Sequence, residues 1–195
     1  MTSLPIDRNN GDRNNGAVWR VNGSGHFHVF MACPITGLVD PKRHELPSDY
    51  EQFIRELYQF LRFRADRVFL ALDREGWGKA LMPAEVCTPL DFAEMQRCSV
   101  MVAYPGRSFG VGVELGWASA LGKPIILLLE PTLPPSPLVD GLFCLPGANV
   151  QRVTVGGPPN LATARALEPE LDHALSRLAG TSGERVRTDS VATAP

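Results

Sequence analysis

Apolar residues fall along this chain in short runs parted by polar, Gly-bearing or Pro-bearing stretches. Five runs have the length and composition of strands: residues 26–32, 67–72, 99–104, 124–129 and 149–155. The fourth is apolar nearly throughout, as parallel strands are when both faces of the sheet are covered. Between the strands the period changes. Over 48–64, Phe53, Ile54, Leu57, Phe60 and Leu61 recur at helical spacing, with Ser48 as N-cap and Glu51 completing a capping box. A helix start is expected at Met82-Pro83-Ala84-Glu85, with Pro in its first turn. Residues 89–98 also read as helical, as do 113–121, which Gly122 closes. A helical turn is expected over 138–142. A closing helix is expected over 168–178, with Leu171, Leu175 and Leu178 on one face. Strands that alternate with helices predict a doubly wound α/β domain. The expectation is a three-layer α/β/α, flavodoxin-like or Rossmann-like fold, with five parallel strands in the order 2-1-3-4-5 and ligands at their carboxyl ends.

Composition narrows this frame without changing it. The 195 residues are 44% hydrophobic and 21% charged, an ordinary globular balance for one core. A net charge of −2 gives no basic surface for nucleic acid or an anionic membrane. No apolar run approaches the ~20 residues that span a bilayer, and no secretory signal core follows the first charges, so a cytoplasmic protein is expected. Cys33, Cys87, Cys98 and Cys144 lack metal-like spacing and read as reduced, mostly buried thiols. His26 and His28 lack a third ligand, and no metal or cofactor is expected. Residues 1–25 contain a tandem repeat, Asp7 to Gly11 and Asp12 to Gly16, and are expected to be a disordered arm. The domain is expected over 26–179, followed by a polar tail over 180–195.

Three loops carry the candidate chemistry. They follow the first three strands and hold Cys33 to Gly37, Asp73 to Gly78 and Pro105 to Gly112. Strand order makes all three open on one crevice. In the third, Gly106, Gly110 and Gly112 suggest a bend that brings backbone close to a ligand, before a helix opening on Val113 and Glu114. Glu114 is then either a nucleophile held ionised at a helix start or an acid that complements the helix dipole.

The stretch Gly112-Val-Glu-Leu-Gly-Trp-Ala118, with Asp91 before it and Gly122-Lys-Pro124 after it, resembles the nucleoside 2-deoxyribosyltransferase-like superfamily. The likeness covers 26 to about 155. Leu38-Val-Asp-Pro41, Arg74-Glu-Gly-Trp-Gly78 and the segment from Ser119 to Glu130 resemble its nucleoside 5′-monophosphate N-glycosidases, such as the cytidylate hydrolases of blasticidin- and mildiomycin-type pathways and the deoxynucleotide N-hydrolases. The resemblance implies hydrolysis of an N-glycosidic bond in a nucleoside 5′-monophosphate, CMP-type pyrimidines favoured. Glu114 would be the nucleophile, and Asp91 would orient or protonate the base. Transferases of this superfamily place an aspartate where this chain has Ser108, six residues before Glu114. A hydroxyl there can donate to a phosphate that a carboxylate would repel. Phosphate is expected on Ile35, Thr36, Gly37, Ser108, Gly110 and Gly112, and on Ser136 of a neighbouring subunit in a homodimer. The relatives' arginine in the first loop is missing; Ile35 and Thr36 stand there. Arg74 and Trp77 are base-binding candidates, Trp77 by stacking.

Each assignment has a plainer counterpart. Asp91 would cap a helix opening after Pro89, Trp77 would anchor its loop, Arg74 would be a solvated cation and Ser136 an ordinary loop serine. Base exchange by a transferase and nucleotide binding without catalysis remain open alternatives at this level.

Overall fold

The computed structural model describes residues 26–188. The expected N-terminal arm and the last residues of the expected tail, 189–195, lie outside the described residues. Five strands form one parallel sheet: β1 (His28–Ala32), β2 (Arg67–Leu70), β3 (Val100–Ala103), β4 (Ile125–Leu129) and β5 (Val150–Thr154). Their order is β2-β1-β3-β4-β5, as anticipated. Six α-helices accompany them: α1 (Ser48–Arg64), α2 (Ala71–Arg74), α3 (Ala84–Arg97), α4 (Phe109–Ala120), α5 (Pro137–Asp140) and α6 (Leu161–Thr188).

The strand period of two divides the core between the faces. Val29, Met31, Val100, Val102, Ile126 and Leu128 join one cluster with Phe53, Ile54, Leu57 and Leu61 of α1 and Leu171 and Leu175 of α6. Phe30, Ala32, Met101, Ala103, Ile125 and Leu127 join the other, with Met95 of α3 and Val111, Leu115 and Ala118 of α4. Both faces are thus covered, which is why the central strands β3 and β4 read as unbroken apolar runs. No described helix is long and apolar enough to cross a membrane.

Several boundaries differ from expectation. The second strand ends at Leu70, where its register with Met31 of β1 runs out. Ala71 and Leu72, good helix formers, then turn into α2 instead of extending the strand. Helix α1 spans the expected residues, but Pro47 holds the N-cap position and Ser48 makes no capping bond. Glu51 pairs with Arg55 one turn on, so the capping box does not form. Helix α3 is one helix through Pro89, not a start followed by a second helix. Helix α6 begins well before 168, because the Asn160 side chain accepts a hydrogen bond from the Thr163 N–H. It continues past 178 to Thr188. Cys33 and Cys98 are buried, but Cys87 is only partly covered and Cys144 is exposed.

Candidate active site

The site lies at the carboxyl ends of β1, β2 and β3. The sheet turns outward there in both directions, because β1 hands the chain to β2 on one side and pairs with β3 on the other. The loop after β1 folds into a turn in which Leu38 and Val39 N–H both donate to the Ile35 carbonyl, at 3.0 and 3.1 Å. The Tyr50 hydroxyl of α1 pins it by donating to the Pro34 carbonyl at 2.6 Å. The loop after β3 packs against it. Gly106 has φ +49°, and a Cβ there would lie 3.0 Å from Pro34 Cγ, so the approach of the two loops needs glycine.

Ser108 then caps α4 by accepting from the Val111 N–H at 3.3 Å. The helix therefore begins at Phe109, four residues earlier than 113. Gly110 and Gly112 are helical residues, not a bend, and Glu114 lies in the second turn. The expectation that a helix start holds Glu114 ionised does not survive this placement. The dipole acts within the first turn, and the carboxylate sits beyond it. Burial, aided by the negative charge of Asp91 and opposed by Arg74, instead pushes the Glu114 carboxyl up to about 8. It takes no hydrogen bond or ion pair from the described residues.

Asp91 stands in the interior of α3, so it caps no helix. Its Oδ1 accepts from Arg74 Nη1 at 2.5 Å, and Arg74 Nη2 reaches Glu75 Oε1 at 3.0 Å. Burial raises the Asp91 carboxyl above its ordinary range, Arg74 pulls it back, and Glu94 adds to the rise. Arg74 is thus a partly exposed cation engaged by two carboxylates, and it clamps both of them. Glu75, 7% exposed, lines the smaller of two cavities at this end of the sheet, and nothing local in the sequence marks it as buried.

Two cavities meet here. One, of about 420 Å³, holds Glu114, Asp91 and Glu75, with Ile35, Thr36, Leu81, Met82, Cys87 and Trp117 among its walls. The other, of about 630 Å³, is lined by Gly37, Tyr50, Tyr104, Arg107, Phe109 and Glu130. Thr36, Ser108 and Gly110 belong to both, so they form the wall the cavities share. The larger cavity is the more apolar, and the smaller one holds the two carboxylates, Glu114 and Asp91. In the larger, the Tyr104 hydroxyl donates to Glu130. Cys33 also lines the smaller cavity, and burial pushes its thiol up to about 12, which keeps it a neutral wall.

Of the candidate residues, Glu114, Asp91, Ile35, Thr36, Ser108 and Gly110 come together on the carboxylate cavity. Gly37 lines only the neighbouring one. Gly112 lines neither, and a Cβ there would meet nothing within 4 Å. Trp77 also lines neither. It lies under the Arg55 guanidinium, 3.5 Å from its ring centroid, and donates to Asp73 at 3.1 Å. Ser136 caps α5 by accepting from the Val139 N–H, away from both cavities within this chain.

No family model matches the chain, and none of the curated proteins does. Among solved structures, the chain is similar to BlsM at 35% identity, over 89% of this chain and 100% of that one, with a TM-score of 0.66. It is also similar to the CMP N-glycosidase BcmB of Clostridium botulinum at 28% identity, over 75% of this chain and 98% of that one, with a TM-score of 0.53. With both relatives spanned nearly end to end, and with this sheet order and motif set, the chain belongs to the nucleoside 2-deoxyribosyltransferase-like family of CMP N-glycosidase type.

Proposed function

We propose that the protein hydrolyses the N-glycosidic bond of a nucleoside 5′-monophosphate, CMP-type pyrimidines favoured, to free base and (deoxy)ribose 5-phosphate. The observation that carries this reading is the pair of carboxylates on one cavity, Glu114 unpartnered and Asp91 held by Arg74. Similarity to a CMP N-glycosidase supports the bond and the substrate class.

The pair needs one proton. In the free site that proton rests on Glu114, beside the Asp91 carboxylate, and it passes to Asp91 as the substrate binds. With Asp91 then protonated and Glu114 ionised, a Glu114 oxygen attacks C1′. The bond from C1′ to the base nitrogen breaks, its electron pair leaves on the base, and Asp91 supplies the proton. Water then attacks C1′ of the glycosyl ester. Asp91 takes the water's proton, and Glu114 departs as the carboxylate. Each turnover consumes one water and returns the pair to its starting state. Raised proton affinity at both groups favours keeping that one proton near neutral pH. Arg74 acts as a positioning residue, fixing the Asp91 carboxylate while leaving Oδ2 for the substrate.

The phosphate lies on the shared wall. Ser108 uses its oxygen lone pair for the Val111 N–H, so its O–H remains to donate. Backbone N–H groups of 35–37 add to it. Ser136 contributes from the second subunit of a homodimer.

The test is incubation with CMP, dCMP, other monophosphates and the matching nucleosides, followed by chromatography for free base. Base release from monophosphates is expected, and Glu114→Gln should slow it by roughly a thousand-fold or more. Release that needs an added acceptor base would assign a transferase. No release from any substrate would remove the enzymatic reading.

A further inference from the structure

A 5′-phosphate carries nearly two negative charges, and the walls it would meet are themselves acidic. Glu75, Asp91 and Glu114 line one cavity and Glu130 the other. Arg74 is spent on Asp91 and Glu75 and lines neither cavity. Among the described residues lining the two cavities, one side chain is a cation: Arg107. It is exposed, directly precedes Ser108, and makes no hydrogen bond or ion pair with the described residues. It shares its cavity with Thr36, Gly37, Ser108 and Gly110, the residues on which the phosphate is proposed to rest.

We infer that Arg107 is the phosphate-binding cation of this protein, reaching the substrate from the larger cavity and setting its preference for a nucleoside monophosphate over a nucleoside. The inference deepens the proposed function and rests on it. A guanidinium suits the task, because its planar fork can give two parallel donors to phosphate oxygens. Its position also fixes how the substrate lies. The sugar's C1′ faces Glu114 in the smaller cavity, and the 5′ end points across the shared wall of Thr36, Ser108 and Gly110. The first loop, with Ile35 and Thr36, then needs no cation of its own.

The experiment compares the full-length wild type, Arg107→Ala and Arg107→Lys on CMP and cytidine, with ribose 5-phosphate binding by calorimetry as a second readout. Arg107 is exposed, so neither change should disturb folding. The ratio of kcat/KM on CMP to that on cytidine should fall by about ten-fold or more in Arg107→Ala, chiefly through KM, with partial recovery in Arg107→Lys. Added salt should raise the wild-type KM for CMP more steeply than that of Arg107→Ala. A ratio within about two-fold of wild type would overturn the inference while leaving the glycosidase intact. Should the wild type release no base at all, weaker ribose 5-phosphate binding by Arg107→Ala would still support the anion site. Neither release nor binding would remove both readings.

Discussion

A carboxylic acid buried beside a second carboxylate holds its proton more tightly than one in water, and the excess is a stability term. Glu114 moves from an ordinary 4.5 to about 8 in the folded chain. Between those values the folded state keeps a proton that the unfolded state has lost, so stability falls as pH rises. The cost is absent below 4.5, grows by about 1.4 kcal/mol per pH unit and is complete above 8. Glu114→Gln removes it without changing shape. The variant's melting temperature should therefore gain on the wild type across this window and hold its lead above it. Thermal unfolding below, inside and above the window measures the gap, and a gap independent of pH would show that Glu114 does not titrate there. Asp91→Asn should draw the Glu114 titration downward, because it removes the neighbouring negative charge. Carbon NMR of labelled glutamate reads that shift directly.

At the scale of elements, Ser108 carries two loads that substitution can separate. It caps α4 and is the proposed phosphate donor. Ser108→Ala should cost about 1 kcal/mol in denaturant unfolding, the usual loss of a cap. Ser108→Asp keeps a good cap and should unfold near wild type, but it sets a carboxylate where the phosphate is proposed to rest. Its preference for monophosphate should collapse while its stability does not. Parallel loss of both would mean that capping is the whole role. The same helix marks where the sequence was legible and where it was not. The strands were readable because both sheet faces are covered, and α1 because its buried side follows the helical period. Helix α4 reads short in the sequence, because Gly110 and Gly112 look like a bend; their helical state depends on the Ser108 cap and on packing of Val111 and Leu115. Helix α3 reads as two pieces around Pro89, because it buries only Met95 and so shows little period. Glu114 and Asp91 were identifiable from motif likeness. The Arg74 clamp was not, because it depends on α2 replacing the end of the expected second strand. Trp77 misled for a related reason: its left-handed backbone, φ 61°, lies between Gly76 and Gly78 and sets the ring against α1. Such a conformation leaves no signature in side-chain pattern.

At the scale of the whole molecule, apolar side chains stand open to solvent on several helices, Phe63 of α1 among them. Phe109 and Leu138 are 93% and 86% exposed, and Phe143 and Val113 are also open to solvent. These belong to α4, α5 and the turn after α5, and Ser136 caps α5. A second copy is the occupant that the proposed role of Ser136 requires, and light scattering should give a dimer mass that Leu138→Lys lowers. Mixed subunits test the sharper claim. Glu114→Gln alone should be inactive, and Ser136→Ala alone should turn over with a raised KM. If Ser136 serves the neighbouring site, a hybrid dimer pairs the intact Glu114 of one subunit with the intact Ser136 of the other. Mixing the two variants and allowing exchange should then create sites with the wild-type KM. If Ser136 acts within its own chain, or not at all, every active site in the mixture belongs to a Ser136→Ala subunit and lacks the hydroxyl. The KM would then stay at the Ser136→Ala value however long exchange proceeds, and the shared-site proposal would be wrong.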